Sequence, residues 1–196
     1  MTVEAAAPPA AAGRAPRPPM LAVGTVVWLA SELMFFSGLF AAYFTLRSTA
    51  RGPWPPEGVE LDAATAGLFT LALLASSGTI QLAVRALTNN DRAAFRRWLL
   101  VTAALAALFL ANQGREWATA TFDTDSNTFG SAFYLMTGFH GLHVLGGILA
   151  MFVLVARATS PRFGPADVPA AEVVSYYWHF VDVVWIGMYT TLFLIS

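Results

Sequence analysis

Five ionisable side chains lie within stretches otherwise apolar enough to cross a bilayer: Glu32, His140, His143, His179 and Asp182. A titratable group in hydrocarbon is costly, so each needs a partner or a function. His140 and His143 are three residues apart, as are His179 and Asp182, and on a helix that spacing puts both members of a pair on one face. Carboxylates and imidazoles at such positions support three readings. They can satisfy one another and tie helices together. They can ligate a metal through the two i, i+3 pairs. They can carry a proton or ion past Glu32. The residues alone leave all three open.

The elements that position these groups follow from composition. The chain has 196 residues, 57% of them hydrophobic and only 12% charged, with a mean hydropathy of +0.59, which defines a polytopic all-α membrane protein. Net charge is −1 and no large basic cluster exists, so nucleic acid is set aside as a partner. Cysteine is absent, which removes disulfides, thiol catalysis, iron–sulfur clusters and thiolate-bound metals together.

Residues 1–19 are rich in Ala and Pro and read as a flexible cytoplasmic arm. Residues 20–196 form the membrane domain, with five spans expected at about 20–46, 63–84, 98–117, 130–156 and 173–195. Pro53-Trp-Pro-Pro56 forces an extended path after the first span, and Asp123-Thr-Asp-Ser-Asn127 supplies turn chemistry before the fourth. Trp54, Trp98 and Trp117 read as interface anchors, and Phe35, Phe36, Phe40 and Tyr43 as packing rather than a cofactor box. Arginines in alternate loops divide eight to three, putting the amino terminus in the cytoplasm and the carboxyl terminus outside.

Depth then follows from a helical rise of ~1.5 Å per residue. Glu32 and His140 each fall roughly 17 Å from opposite edges of a core ~30 Å thick, and so share a level near the midplane. This count predicts that the two lie within hydrogen-bond reach, directly or through one water. Asp182 falls near the same level, and His143 and His179 share a layer roughly 12 Å from the cytoplasmic side. Gly138, Gly141 and His179 are expected to pack the fourth span on the fifth.

Four motifs carry a family resemblance. Ser31-Glu-Leu-Met-Phe-Phe-Ser-Gly38, Trp54-Pro-Pro56, Gly138-Phe-His-Gly-Leu-His143 and Tyr177-Trp-His-Phe-Val-Asp-Val-Val-Trp185 resemble subunit III of haem–copper cytochrome c oxidase, in a short five-helix form nearest to actinobacterial members. The likeness runs from Trp28 to the end of the chain. It implies an accessory subunit of a proton-pumping oxidase in the bacterial plasma membrane. Such a subunit has no catalytic, cofactor or metal site of its own, haem and copper being in partner subunits. It stabilises subunit I, holds phospholipid and sustains proton uptake. Implied partners are subunits I and II, a small subunit IV, a cytochrome bc complex in a supercomplex, and membrane lipid. The family's membrane carboxylate maps onto Glu32, its partner histidine onto His140, and its lipid-phosphate arginine onto Arg157. Mitochondrial forms have two further helices ahead of the carboxylate helix, and here the Pro-rich arm stands in that place. The alternatives are subunit III of a quinol oxidase and, from another class, a stand-alone proton-coupled carrier. No sequence repeat supports the carrier, and five spans do not divide into equal halves.

Overall fold

The computed structural model describes residues 20–195. The expected arm, with Arg14 and Arg17, lies outside the described residues. Five helices follow in order: α1 (Met20–Thr49), α2 (Ala63–Thr88), α3 (Arg92–Thr119), α4 (Thr128–Arg157) and α5 (Val168–Tyr189). A short 3₁₀ turn, Pro165–Asp167, leads into α5, and one π-type turn, Thr190–Leu194, extends it. Among the described residues α1 to α4 are each long and apolar enough to cross a membrane. The fifth helix is diluted by Glu172, Ser175, His179 and Asp182, and it packs against α1, α2 and α4.

The helix starts are written locally. Asp62, Asp91 and Asn127 accept from the backbone N–H of Thr65 (3.0 Å), Ala94 (2.9 Å) and Gly130 (2.7 Å), satisfying amides that a first turn leaves free. At Asp62, hydrogen bonds from the Thr65 hydroxyl and amide hold the carboxyl below the usual aspartate range. That cap is therefore at full strength above the ordinary aspartate pKa and is lost as pH falls through the lowered value. The segment between the expected second and third spans, residues 85–97, is mostly helical. Only residues 89–91 break the path, with Asn90 at φ 60°, a left-handed position that Asn tolerates.

Packing places α5 among the others. α2 lies between α3 and α5, α4 contacts α3, α5 and α1, and α1 rests on α4 and α5. On α5, Trp178 and Trp185 are buried and donate from Nε1 to Ser76 Oγ and Thr70 Oγ1 of α2, each at 2.8 Å. Tyr189 donates to the Ala63 carbonyl at 3.0 Å, so α5 is bonded to α2 along its length. Its other flank meets α1, where the Phe40 ring lies against Gly187. Trp54 Nε1 donates to Tyr43 Oη (2.9 Å) and Tyr43 to the Thr191 carbonyl (3.3 Å), which fastens the loop after α1 to the end of α5. Trp54 and Trp117 thus bond within the bundle, the latter to Thr137 at 3.2 Å, rather than serving only as surface anchors.

The expected packing of α4 on α5 is present, but through different glycines. Gly138 and Gly141 face α3, where added Cβ atoms would meet Trp117 and Leu110. The close approach to α5 occurs at Gly147, where a Cβ would lie 2.6 Å from the Trp178 ring, with Gly146 against the Tyr177 hydroxyl. His179 faces α2 instead of α4. The reason is rotational: residues 138 and 141 lie on the α3 side of the helix, and one to two turns later the α5 side is reached. Gly147→Ala is therefore expected to lower stability by about 1–3 kcal/mol, since Trp178 has to shift. Gly38→Ala, with no atom within 4 Å of its Cβ position, should not lower it. Thermal unfolding of both variants in mild detergent checks the contrast.

Candidate functional site: a carboxylate–imidazole seam

The α1/α4 seam holds an acid–base pair. Glu32 Oε2 lies 3.1 Å from His143 Nε2, with side-chain exposures of 24% and 16%, so the pair is accessible from one side of the bundle. Glu32 Oε1 accepts from Trp28 Nε1 at 3.0 Å. His143 Nδ1 lies 2.6 Å from the Phe139 carbonyl, which can only accept, so Nδ1 carries a proton. One further proton must then sit between Nε2 and the carboxyl, on either atom, for that contact to be a hydrogen bond. Aromatic rings enclose the pair: Phe36 meets the imidazole edge-on at 4.9 Å, and Trp28 stacks on Tyr177 at 5.1 Å. The Tyr177 hydroxyl donates to the His143 carbonyl at 2.8 Å, bringing α5 to the same place.

Glu32 and His140 do not bond directly. His140 is 1% exposed, stacked on Trp185 at 4.9 Å and edge-on to Phe109 at 5.8 Å. Neither of its nitrogens has a hydrogen-bond partner. Counting rise along a helix fixes depth but not azimuth. His140 follows Phe133, Met136 and Thr137 on the buried stripe of α4, whereas His143 is turned toward α1. The sequence held both histidines, but nothing in their spacing said which faced the acid. A one-turn offset separates them and is within reach of ordinary helix tilt.

The remaining candidates form a second group between α2 and α5. Ser77 donates to Asp182 Oδ2 and bonds His179 Nδ1 at 2.8 Å. Gln81 Nε2 reaches His179 Nε2 at 2.7 Å and Ser175 Oγ at 3.0 Å. Asp182 is 3% exposed, and its Oδ1 has no partner. Ser77 and Gln81 are not among the sequence candidates; their one signal is polarity within the expected second span. The five ionisable candidates thus divide into a pair at α1/α4, a lone His140 in the core and an array at α2/α5. Arg157 ends α4 with its side chain 56% exposed, and Nη2 donates to Asp167 Oδ1 at 2.8 Å. A pocket of about 160 Å³ lies there, lined by Arg157, Ser160, Arg162, Phe163 and Asp167.

Among the described residues no three His, Asp or Glu side chains converge as a metal-ligand set. His143 and His179 already have both ring nitrogens engaged in hydrogen bonds.

Fold and site together define a multi-pass helical membrane protein with a polar pair near the middle of α1 and α4 and broad exposed apolar surfaces. The family model of cytochrome c oxidase subunit III matches residues 18–196, and the chain belongs to that family. It is 48% identical over 182 residues to the probable cytochrome c oxidase subunit 3 of Nocardia farcinica, covering 91% of this chain and 90% of that one. It is 50% identical to the protein of the same description in Mycobacterium leprae, with the same coverage. Identity to the cytochrome c oxidase subunit 3 of Corynebacterium diphtheriae is 44%, over 92% of this chain and 90% of that one. The family places the chain in an oxidase complex with other subunits.

The two histidines of α4 should respond oppositely to one substitution. His140→Phe removes two unpartnered polar atoms from an aromatic pocket and keeps a ring there, so stability should hold or rise. His143→Phe strands the Glu32 carboxyl and should cost about 1–3 kcal/mol. Unfolding midpoints of the purified subunit complex separate these outcomes.

Proposed function

We propose that this chain is the non-catalytic subunit III of a cytochrome c oxidase of a bacterial plasma membrane, in which oxygen reduction is coupled to proton pumping. Its roles are to stabilise subunit I, to hold phospholipid and to sustain proton uptake. The observation that carries this reading is the Glu32–His143 pair, a membrane carboxylate of the family's motif held at a seam that opens to one side of the bundle. The proton the pair shares can sit on either partner, Nε2 or the carboxyl, with the same atoms in contact. The haems and copper belong to partner subunits; the imidazoles here are engaged with Glu32, Ser77 and Gln81 or enclosed by Phe109 and Trp185. The amino terminus is cytoplasmic, which puts Arg157 and Arg162 at the inner surface, and their pocket takes an anionic headgroup. Neither polar group forms a continuous path across the bundle, and this disfavours a stand-alone carrier.

Glu32→Gln should leave haem content and initial oxygen consumption near normal while the complex inactivates several-fold faster during turnover. Oxygen-uptake time courses beside proton-per-electron ratios test this, and outright loss of initial rate at normal haem content would give Glu32 a direct catalytic part. Arg157→Ala should reduce co-purified anionic lipid, measured by mass spectrometry of the extracted complex; unchanged lipid would remove the headgroup role. A co-purified subunit with a dinuclear copper site would distinguish cytochrome c from quinol as donor.

A further inference from the structure

α5 is enclosed on three sides and open on the fourth. Trp178, Trp185 and Asp182 turn to α2, Gly187 and Phe180 to α1, and Tyr177 to α4. Tyr176, His179, Val183 and Ile186 recur at helical spacing on the remaining side, with Tyr176, Val183 and Ile186 exposed by 49%, 66% and 44%. On the bordering flank of α2, Gly78 has no atom within 4 Å of its Cβ position.

This strip is not uniformly apolar. His179 is half-buried in it, eleven residues from the start of α5 at Val168, which is roughly 16 Å and near the middle of a bilayer core. Gln81 spends its amide N–H groups on His179 and Ser175, and its carbonyl accepts no hydrogen bond among the described residues. That carbonyl needs a donor, and acyl chains have none. On the far flank the exposed α4 residues Leu142, Leu149 and Val153 are aliphatic and suit lipid.

We infer that the α1–α5–α2 face, centred on His179 and Gln81, docks a membrane-spanning helix of a neighbouring oxidase subunit that presents a hydrogen-bond donor side chain at mid-depth. The inference rests on the oxidase reading and assigns the docking face within it. The open Gln81 carbonyl takes the donor, Gly78 lets the partner backbone approach, and Val183 and Ile186 supply apolar contact.

The test uses the assembled complex purified from membranes. A benzophenone photo-crosslinking residue replaces Val183 in one variant and Leu149 in another; neither side chain is buried in the fold. The expected result is a covalent adduct between position 183 and another membrane subunit, with position 149 labelling lipid. In parallel, Val183→Trp should lower the haem recovered per subunit by about tenfold, as a bulky residue does at the centre of a packed interface, while Leu149→Trp should not. Lipid adducts alone at position 183 in a haem-containing complex, or normal haem recovery with Val183→Trp, would overturn the docking face and leave the oxidase reading standing. If the unmodified chain brings no haem with it, the oxidase reading falls and this inference falls with it.

Discussion

The bundle is organised by the need to satisfy α5's polar atoms inside an apolar layer. A helix carrying Trp178, His179, Asp182 and Trp185 within eight positions cannot face hydrocarbon on all sides, because each N–H or carboxyl oxygen without a partner there costs free energy comparable to several apolar contacts. Ser76, Thr70, Ser77 and Gln81 on α2 answer those groups one by one. This explains why α2 interrupts its apolar run with small polar residues. The hydroxyls also close back onto their own helix, Thr70 to the Ala66 carbonyl at 2.8 Å and Ser76 to the Leu73 carbonyl at 2.5 Å, so each oxygen both donates and accepts. The α2–α5 contact is therefore directional, fixing azimuth as well as distance.

Once α5 is pinned to α2, its opposite flank decides where α4 and α1 lie. The Trp178 ring needs the space that Gly147 leaves, which brings α4 in at one depth and one rotation. α1 arrives last in this hierarchy. Its buried residues are Thr25, Phe36 and Tyr43, a thin stripe compared with the other helices. The Glu32–His143 bond and the Trp28–Tyr177 stack supplement that stripe at the seam. A helix so lightly held has most of its surface free for lipid or for other subunits, as fits a chain that works inside a larger complex.

How much of this was legible in the sequence depends on which coordinate is asked about. Position along the chain was readable, because apolar runs and turn residues mark where a helix begins and ends. Helices α1 to α4 cover the expected stretches and run a few residues beyond them, while α5 starts earlier, at Val168, and gives way to its π-type turn after Tyr189. Rotation about each helix axis was not readable. Glycine is equally able to face α3 or α5, so Gly138 and Gly141 looked like the α5 contact that Gly146 and Gly147 make. The two histidines of α4 look equivalent in the sequence, and a rotation of less than a quarter turn separates a core residue from an acid's partner. Only the tryptophans, whose volume and single N–H restrict where they fit, carried azimuthal information, and that information became usable once their hydroxyl partners on α2 were known.

The protonation chemistry of the seam follows from one backbone atom. Because the Phe139 carbonyl holds His143 Nδ1 as a donor, the imidazole has a single remaining degree of freedom, the occupancy of Nε2. With the proton on Nε2 the pair is imidazolium and carboxylate; with it on Glu32 both groups are neutral. The net charge is zero in both cases and the same heavy atoms stay in contact, so the proton moves without repacking α1 against α4. A pair that lost this proton would set a carboxylate oxygen against an imidazole lone pair, and the seam would be pushed apart at the point where α1 has little else to hold it. Trp28 Nε1, donating to the other carboxyl oxygen, fixes the orientation of the carboxyl at the seam. His140 has neither constraint: enclosed by Phe109 and Trp185 with no carboxylate in reach, it is held by ring packing, and its placement is a matter of shape. Two histidines three residues apart thus do different physical work, one as half of a proton-holding pair and one as an aromatic filler.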